Sequence, residues 1–308
     1  MSDAPLRIGT RGSRLARAQA TLVRGILAEA HPGLPPAELV VIKTTGDRVR
    51  DRPLAEIGGK GLFTKEIEEA LIERRVDVAV HSMKDLPTRL PAGLVIGCLL
   101  PREDPRDALF AGGAEHIADL PQGAVVGTAS LRRAAQLRAR RPDLRVVPFR
   151  GNVDTRLRKV AAGEVDATLL AVAGLKRLGL EARIGAVLEP EEMLPAVAQG
   201  AIRIECRQGD AQVRDLLAPL DHAETAARVA AERALLAVLD GSCRTPIAAL
   251  AEVAGGVMRL RGLVAQPDGS DLHAVDRRGD AAAATALGRD AGAELKAAAG
   301  PSFLAALA

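Results

Sequence analysis

Cys243 is the residue with the clearest potential for covalent chemistry. A helical pattern ends at Asp240, and a Gly-Ser turn then carries the thiol before Pro246 begins an apolar strand. A thiol on a turn is exposed and can act as a nucleophile or an attachment point, although a half-buried loop cysteine without chemistry shows the same pattern. The other two cysteines, Cys98 and Cys206, lie in apolar runs and are predicted to be buried and inert.

The segment Val-His-Ser-Met-Lys-Asp-Leu-Pro, residues 80–87, places a carboxylate where a ligand can meet it. Residues 77–81 form a predicted strand, and the carboxyl ends of strands in an open parallel sheet face the ligand crevice. Asp85 is therefore a candidate ligand-binding carboxylate, and the alternative is a turn aspartate neutralised by Lys84. His81 could serve as a general base, but a histidine at a strand end beside apolar residues is more often structural.

Two arginines stand at an unusual place in the segment Gly-Thr-Ala-Ser-Leu-Arg-Arg, residues 127–133. Ser130 is a good helix cap, so Arg132 and Arg133 fall in the first helical turn, against the positive end of the helix dipole. This placement costs roughly a few tenths of a kcal/mol per charge unless an anion is bound there. A locally unfavourable arrangement of this kind indicates a functional anion site.

The same arrangement recurs at two further strand-to-helix turns. Arg150 precedes Asn152, which can cap the next helix and places Arg156 one turn in, and Arg11 lies just before another helix. Because guanidinium groups match planar carboxylates bidentately, we expect a polycarboxylate here. One alternative is a solvated basic face, which explains a single arginine better than the set. Another is a nucleotide at the glycine-rich residues 58–61, which lack the Walker Lys-Ser ending.

Short β-rich runs and amphipathic helices alternate along the chain and must position these residues. The first set has predicted strands at 6–10, 38–44, 77–81 and 94–100 and helices at 13–30 and 64–75. After a Pro-, Asp- and Arg-rich connection at 101–107, the second set has strands at 124–127, 144–149 and 167–171 and helices at 131–140 and 153–162. The alternation predicts two α/β domains with parallel sheets. From residue 221, a helix, two or three antiparallel strands and an Ala-rich terminal helix predict a small α+β domain that carries Cys243.

Composition limits the classes of function. The 308-residue chain is 48% hydrophobic, which is ample for two or three packed domains. It has no Trp or Tyr, only four Phe and a net charge of +3, which argue against a general nucleic-acid binder. The N-terminus shows no secretory pattern, no apolar run approaches membrane-spanning length, and the cysteines form no metal motif. We therefore expect a cytoplasmic, metal-free protein.

Taken in order, six segments resemble the porphobilinogen deaminase family, also known as hydroxymethylbilane synthases. They are residues 6–13, 81–85, 127–133, 149–152, 173–179 and the Cys243 segment. The resemblance covers nearly the whole chain, and the series is specific although no single motif is. The chain departs from the family pattern near the cofactor at Ala129, Ser242, Arg244 and Thr245.

The resemblance implies two periplasmic-binding-protein-like α/β domains around a cleft plus a small C-terminal α+β domain. Domain 1 is expected at residues 1–100 with 200–218, domain 2 at 101–199 and the C-terminal domain at 219–308. The chain would return to domain 1 through residues 195–201. The charged, Gly-rich residues 48–62 are expected to form a mobile lid, and the protein is expected to be a monomer.

The implied reaction joins four porphobilinogen units head to tail, releases ammonia at each step and yields hydroxymethylbilane for tetrapyrrole (haem) biosynthesis. A dipyrromethane cofactor, attached to Cys243 through a thioether, is the primer. Each pyrrole bears an acetate and a propionate, so the growing chain is a polyanion. Asp85 is the expected catalytic carboxylate, a buried group that stabilises the cation left by ammonia loss and binds the pyrrole N–H groups.

The resemblance also assigns the remaining site residues. Those expected to line the cofactor are Ser82, Lys84, Asp85, Thr128, Ser130, Arg132, Arg133, Gln199, Gly200 and Cys243. Those expected to hold substrate carboxylates are Arg11, Ser13, Gln19, Arg150, Arg156 and Arg177. The alternative function is a non-catalytic solute-binding or effector-binding protein, which a two-lobed α/β fold alone would allow. Intact mass separates the two, because only the enzyme carries a covalent adduct.

Overall fold

The strands and helices follow the predicted alternation. The computed structural model describes residues 4–48, 64–85, 90–240 and 245–305. In chain order, the strands are β1 (Arg7–Arg11), β2 (Glu38–Ile42), β3 (Val78–Ser82), β4 (Leu94–Leu99), β5 (Asp107–Phe110), β6 (Val125–Gly127), β7 (Arg145–Val147), β8 (Ala167–Ala171), β9 (Ala186–Leu188), β10 (Ile202–Arg207), β11 (Ile247–Ala254), β12 (Val257–Ala265) and β13 (Leu272–Asp280). The helices are α1 (Arg14–Ala30), α2 (Thr45–Arg48), α3 (Lys65–Ile72), α4 (Leu131–Arg140), α5 (Val153–Ala161), α6 (Val172–Arg177), α7 (Ala211–Leu217), α8 (Ala223–Val238) and α9 (Ala284–Ala305).

The first sheet has the strand order β2-β1-β3-β10-β4. β1 pairs in parallel with β2 and β3, whereas β10 is antiparallel to both β3 and β4. The prediction of a parallel sheet is therefore wrong for β10. The chain returns beside the carboxyl end of β3, where Ile202 pairs with Ser82 and the Met83 N–H donates to Ala201 O at 3.0 Å. This pairing holds the end of β3, from which predicted site residues project.

Helices cover both faces of the first sheet. On one face, Val23 and Leu27 of α1 pack in a buried cluster with Ile8. On the other, Ile67 and Leu71 of α3 belong to a second buried cluster. Both faces of β3 are therefore buried, which fits its apolar run Val-Ala-Val.

The second sheet has the order β7-β6-β8-β5-β9. β6 is parallel to β7 and β8, and β5 is antiparallel to β8 and β9, so this sheet is also mixed. β5 begins at Asp107, the last residue of the segment predicted to be only a connection. Asp107 lies in register with Ala171 and Leu188. The carboxylate of Asp107 is therefore buried at the start of a strand inside this sheet.

The C-terminal strands β11, β12 and β13 form an antiparallel meander, and α9 packs against β12 and β13. The prediction of two or three antiparallel strands followed by a helix is confirmed. A Cβ at Gly288 would clash with the carbonyl of Ala231, and one at Gly292 would meet the carbonyl of Leu235. These glycines of α9 therefore permit its close approach to α8.

The chain divides into two compact units. One comprises Met1–Arg102 with Ala201–Ala226, and the other Glu103–Gly200 with Ala227–Ala308. The fold class is confirmed, since the chain contains two mixed sheets with α/β alternation and ends in a small region of strands and helix. Among the described residues, no helix has the length and apolar content needed to cross a membrane.

Candidate functional site

In the N-terminal unit, predicted site residues gather at the carboxyl ends of the adjacent parallel strands β1 and β3. Arg11 ends β1 and is half-buried. Ser13 caps α1 by accepting the Ala16 N–H at 3.2 Å. Gln19 of α1 is buried, and its Nε2 donates to Oγ of Ser82, the last residue of β3, at 2.8 Å. The structure thus brings polar and cationic groups to one edge of the sheet.

The turn after β3 presents Lys84 and Asp85. Residues 83–85 form one 3₁₀ turn anchored by the buried side chain of Met83. Lys84 is half-buried and Asp85 is exposed. The carboxylate of Asp85 therefore differs from the buried group that the resemblance implies. Its exposure leaves the oxygens accessible to N–H donors of a ligand.

His81 is a structural residue of β3. It is 5% exposed. Burial lowers its pKa well below the ordinary value, and the positive charges of Arg203 and Arg11 lower it further. The ring is therefore neutral near pH 7, with Nε2 lying 3.5 Å from a carboxylate oxygen of Glu205. These contacts direct the ring to the interior of the sheet and favour the structural interpretation over a general base.

At the start of α4, the protein itself supplies an anion that the sequence analysis missed. Ser130 caps α4 as predicted, accepting the Arg133 N–H at 3.4 Å. Asp107 is fully buried and accepts from Arg132 Nη2 at 2.7 Å and from Arg133 Nε and Nη2 at 3.1 and 2.7 Å. Both arginines are buried. The expectation that these cations require an external anion is therefore wrong, although an aspartate directly before the apolar run Ala-Leu-Phe was a signal of a buried partner.

Gln199 and Gly200 belong to the same compact unit as Asp107. Gln199 is buried, and its Nε2 donates to Asp107 Oδ1 at 2.7 Å. Gly200 has φ +90°, a conformation that favours glycine, and its carbonyl accepts from Arg177 Nη2 at 2.5 Å. Burial lowers the pKa of Arg177 to about 10, an effect that the nearby Glu103 carboxylate only partly opposes. The structure therefore brings three predicted site residues close to Asp107 or to one another.

Thr128 orders the turn that leads into α4. It is buried, its N–H donates to Val147 O at 2.9 Å, and its Oγ1 accepts the Ser130 N–H at 3.1 Å. Ala129, a departure from the family pattern, lies between them and is exposed.

Arg150 and Arg156 flank the start of α5, which Asn152 caps as predicted by accepting the Thr155 N–H at 2.8 Å. Burial lowers the pKa of Arg156 to about 10, and the charges of Arg133 and Arg150 contribute to the shift. The Arg156 Nε is buried without a hydrogen-bond partner. A half-buried guanidinium beside two like charges favours an anionic ligand, and a ligand carboxylate would supply both charge and acceptor. These residues therefore fit a ligand that carries carboxylate groups.

Cys243, Ser242 and Arg244 lie outside the described residues, as do residues 49–62 of the predicted lid. The flanks of Cys243 are described: α8 ends at Val238, Asp240 has φ +50°, and the Ile247 N–H donates to Thr245 O at 2.7 Å. Cys98 and Cys206 are buried as predicted, and burial raises the pKa of Cys98 to about 12. Neither thiol is therefore suited to attachment. Within the described ranges, no group of three or more His, Cys, Asp or Glu side chains could hold a metal ion.

Comparison with known proteins gives concordant matches. Residues 6–215 match the family model "Porphobilinogen deaminase, dipyromethane cofactor binding domain", and residues 226–297 match "Porphobilinogen deaminase, C-terminal domain". The porphobilinogen deaminase of Paracoccus denitrificans is 59% identical over 95% of this chain and 94% of its own. The chloroplastic porphobilinogen deaminase of Oryza sativa is 55% identical over 98% of this chain and 86% of its own. The aliphatic sulphonate binding protein SsuA of Escherichia coli matches with a TM-score of 0.40 and 18% identity over 76% of this chain and 70% of its own.

Proposed function

The chain belongs to the porphobilinogen deaminase family, and we propose that the residues described above carry out that family's reaction. This reaction joins four porphobilinogen units into hydroxymethylbilane, with release of ammonia, in tetrapyrrole biosynthesis. It uses a dipyrromethane cofactor, which supplies the pyrrole end to which the first unit is joined.

The observation that carries the residue assignments is the cluster of Arg133, Arg150 and Arg156. Their mutual repulsion and the burial of Arg156 make this part of the chain a receptor for anions. Porphobilinogen bears an acetate and a propionate, whose planar carboxylates match guanidinium forks. We assign Arg150, Arg156 and Arg177, together with Arg11, Ser13 and Gln19, to the substrate carboxylates.

Cys243 is proposed to anchor the primer through a thioether. The residues that we assign to the lining of the primer site are Ser82, Lys84, Asp85, Thr128, Ser130, Arg132, Arg133, Gln199 and Gly200. The donors among these residues match the acidic side chains of a dipyrromethane, and Asp85 is an acceptor for pyrrole N–H groups. We also assign Asp85 the stabilisation of the cation that remains when ammonia leaves the substrate.

The larger-scale assignments follow from the same family membership. We propose three domains, with residues 1–100 and 200–218 in the first, 101–199 in the second and 219–308 in the third. We further propose that the enzyme is a cytoplasmic monomer without a metal. Cys98 and Cys206 are free thiols, as expected in a reducing compartment.

Attachment is tested by intact mass. The purified wild-type chain is expected to exceed its sequence mass by a two-pyrrole adduct that peptide mapping places on Cys243. Cys243→Ala should lack both adduct and activity, whereas Cys206→Ala, which removes a buried thiol, should keep the adduct. An unmodified wild-type chain, or an adduct on Cys98, would contradict the assignment.

Asp85→Asn tests the catalytic carboxylate. The substitution keeps the shape of an exposed side chain, so the melting temperature should match that of wild type. Turnover should fall about 10²–10³-fold, because a preorganised group facing developing charge is lost. Asp215→Asn, which changes an exposed aspartate of α7 in the same unit, should leave turnover unchanged. A folded Asp85→Asn variant with near-normal turnover would exclude the proposed role.

A further inference from the structure

Asp107 binds three side chains that the proposed function places around the primer. Its Oδ2 accepts from Arg132 Nη2 at 2.7 Å and Arg133 Nε at 3.1 Å. Its Oδ1 accepts from Arg133 Nη2 and Gln199 Nε2, each at 2.7 Å. The residue is fully buried. Both oxygens are therefore engaged by protein donors, and this carboxylate does not itself face a ligand.

Charge makes Asp107 an obligatory partner of the two arginines. Burial by itself would raise the pKa of Asp107, but the charges and hydrogen bonds of Arg132 and Arg133 lower it overall, so the carboxylate is ionised. Burial lowers the pKa of Arg132, and Arg133 lowers it further, while Asp107 raises it. Without the carboxylate, two like charges would be buried side by side.

Each arginine is also fixed at a second point. Arg132 Nη1 donates to Leu194 O at 2.6 Å, and Arg133 Nη1 donates to Leu169 O at 2.9 Å. A guanidinium has five N–H donors in a rigid plane, so two anchors set the plane and leave other donors for a ligand. The buried Arg132 Nε has no hydrogen-bond partner. Asp107 thus determines the direction of the remaining donors.

We propose that Asp107 is a positioning residue that holds Gln199 in place and orients the remaining donors of Arg132 and Arg133 for the carboxylates of the dipyrromethane primer. The proposal rests on the proposed function, which places these three residues around the primer. Asp107 also reduces the charge of the arginine pair from two to one. The pair therefore recognises a ligand carboxylate by oriented donors as well as by charge.

Two variants separate charge from position. Asp107→Asn removes the charge, and Asp107→Glu keeps it but moves the oxygens by one methylene. Asp104→Asn is the matched control, because Asp104 is a part-buried aspartate that pairs with Arg106 at 2.8 Å and is not assigned to the site. The measurements on the full-length chain are the fraction carrying the two-pyrrole adduct by intact mass, KM and kcat per loaded chain, and the melting temperature.

We expect Asp107→Asn to lower the adduct-bearing fraction by about ten- to a hundredfold, because an amide nitrogen cannot accept from the arginines and the two repelling guanidinium groups then lose their positions. Asp107→Glu should melt closer to wild type than Asp107→Asn, yet should also load less primer and show a raised KM. Asp104→Asn should match wild type in adduct and KM. If Asp107→Asn does not fold, the Glu variant decides.

Complete primer loading and unchanged KM in the folded Asp107 variants would overturn the proposal, even if they melt earlier, because Asp107 would then be only structural. Failure of the proposed function looks different, since wild type and Asp104→Asn would also lack the adduct.

Discussion

The pair of Arg132 and Asp107 shows how a local rule and a tertiary contact compete at a single residue. A cation in the first turn of α4 costs roughly a few tenths of a kcal/mol against the helix dipole. Separating a buried ion pair by removing one partner costs about 3–5 kcal/mol. The larger effect decides, so the stability of this position depends on Asp107 and not on the dipole.

Arg132→Leu is therefore expected to destabilise the fold. We expect a loss of about 2–3 kcal/mol, below the full cost of a broken buried pair because Arg133 and Gln199 still contact Asp107. The helix-dipole argument taken alone would instead give a variant no less stable than wild type. Urea unfolding monitored by circular dichroism measures the change. Arg158→Leu, at an exposed position of α5, should stay within about 0.5 kcal/mol. If wild type and Arg132→Leu are equally stable, the buried pair with Asp107 does not dominate the stability of this position.

Helix caps were predictable from the sequence, whereas the partner of the arginines was not. Ser130 and Asn152 accept hydrogen bonds from residues three positions on, so the short sequence around each cap contains the information. Asp107 lies 25 residues from Arg132 and meets it only through the folding of the second sheet. The catalytic role of Asp85 and the ligand roles of the arginines stay predictions.

Among the elements, β10 is a strand that was not predicted from the sequence. Its residues Ile-Arg-Ile-Glu-Cys-Arg alternate apolar and charged side chains, a pattern typical of a half-exposed strand. Arg203 and Glu205 are nonetheless fully buried, on a face covered by α3. Arg203 Nη2 donates to Glu205 Oε2 at 2.6 Å. An ion pair inside the unit thus replaces the apolar pair that a buried strand normally has, and periodicity cannot reveal such a substitution.

Glu205 gives this element a pH-dependent stability. Burial raises its pKa to about 7, and Glu68 of α3 adds to the shift, while Arg203 opposes it. A folded-state pKa above the unfolded value stabilises the fold fully below the unfolded pKa, and this contribution is lost as pH rises through the folded pKa. His81 of β3, whose pKa is lowered, acts in the opposite direction at acidic pH.

We measure the free energy of unfolding of wild type and of Glu205→Gln at each pH. As pH rises from about 4.5 to about 8, wild type is expected to lose stability relative to Glu205→Gln. The difference should approach about 3 kcal/mol, the equivalent of the raised pKa. Urea titrations at matched pH values measure it, and comparison at each pH reduces the contribution of His81. Glu69→Gln, which changes a neighbouring residue of α3 whose carboxylate is half-exposed, should run parallel to wild type. If the stability of Glu205→Gln changes with pH in parallel with that of wild type, Glu205 does not titrate in this range.

On the scale of the whole molecule, a small net charge conceals an uneven distribution. The net charge is +3, yet burial lowers the pKa of Arg132, Arg156 and Arg177, so the fold holds these cations at a cost. Composition excluded only broad classes of function. The fold class and family were predictable because six motifs occur in a fixed order over nearly the whole chain. An anionic ligand that binds only the folded chain offsets the cost of the buried cations and stabilises the fold.

The primer is therefore expected to stabilise the protein that carries it. Two or three charge-assisted hydrogen bonds from arginines to its carboxylates are each worth about 1.5–3 kcal/mol, and 1 kcal/mol corresponds to about 2–4 °C in chains of roughly this size. We expect the adduct-bearing chain to melt about 5 °C or more above Cys243→Ala by calorimetry. Cys243→Ser should have the same melting temperature as Cys243→Ala, because the lower stability results from the missing primer and not from the missing thiol. The gap should narrow as salt is added, since screening weakens ion pairing that is partly exposed. Equal melting temperatures for loaded and unloaded chains would mean that the buried arginines gain nothing from the primer and are already satisfied within the fold.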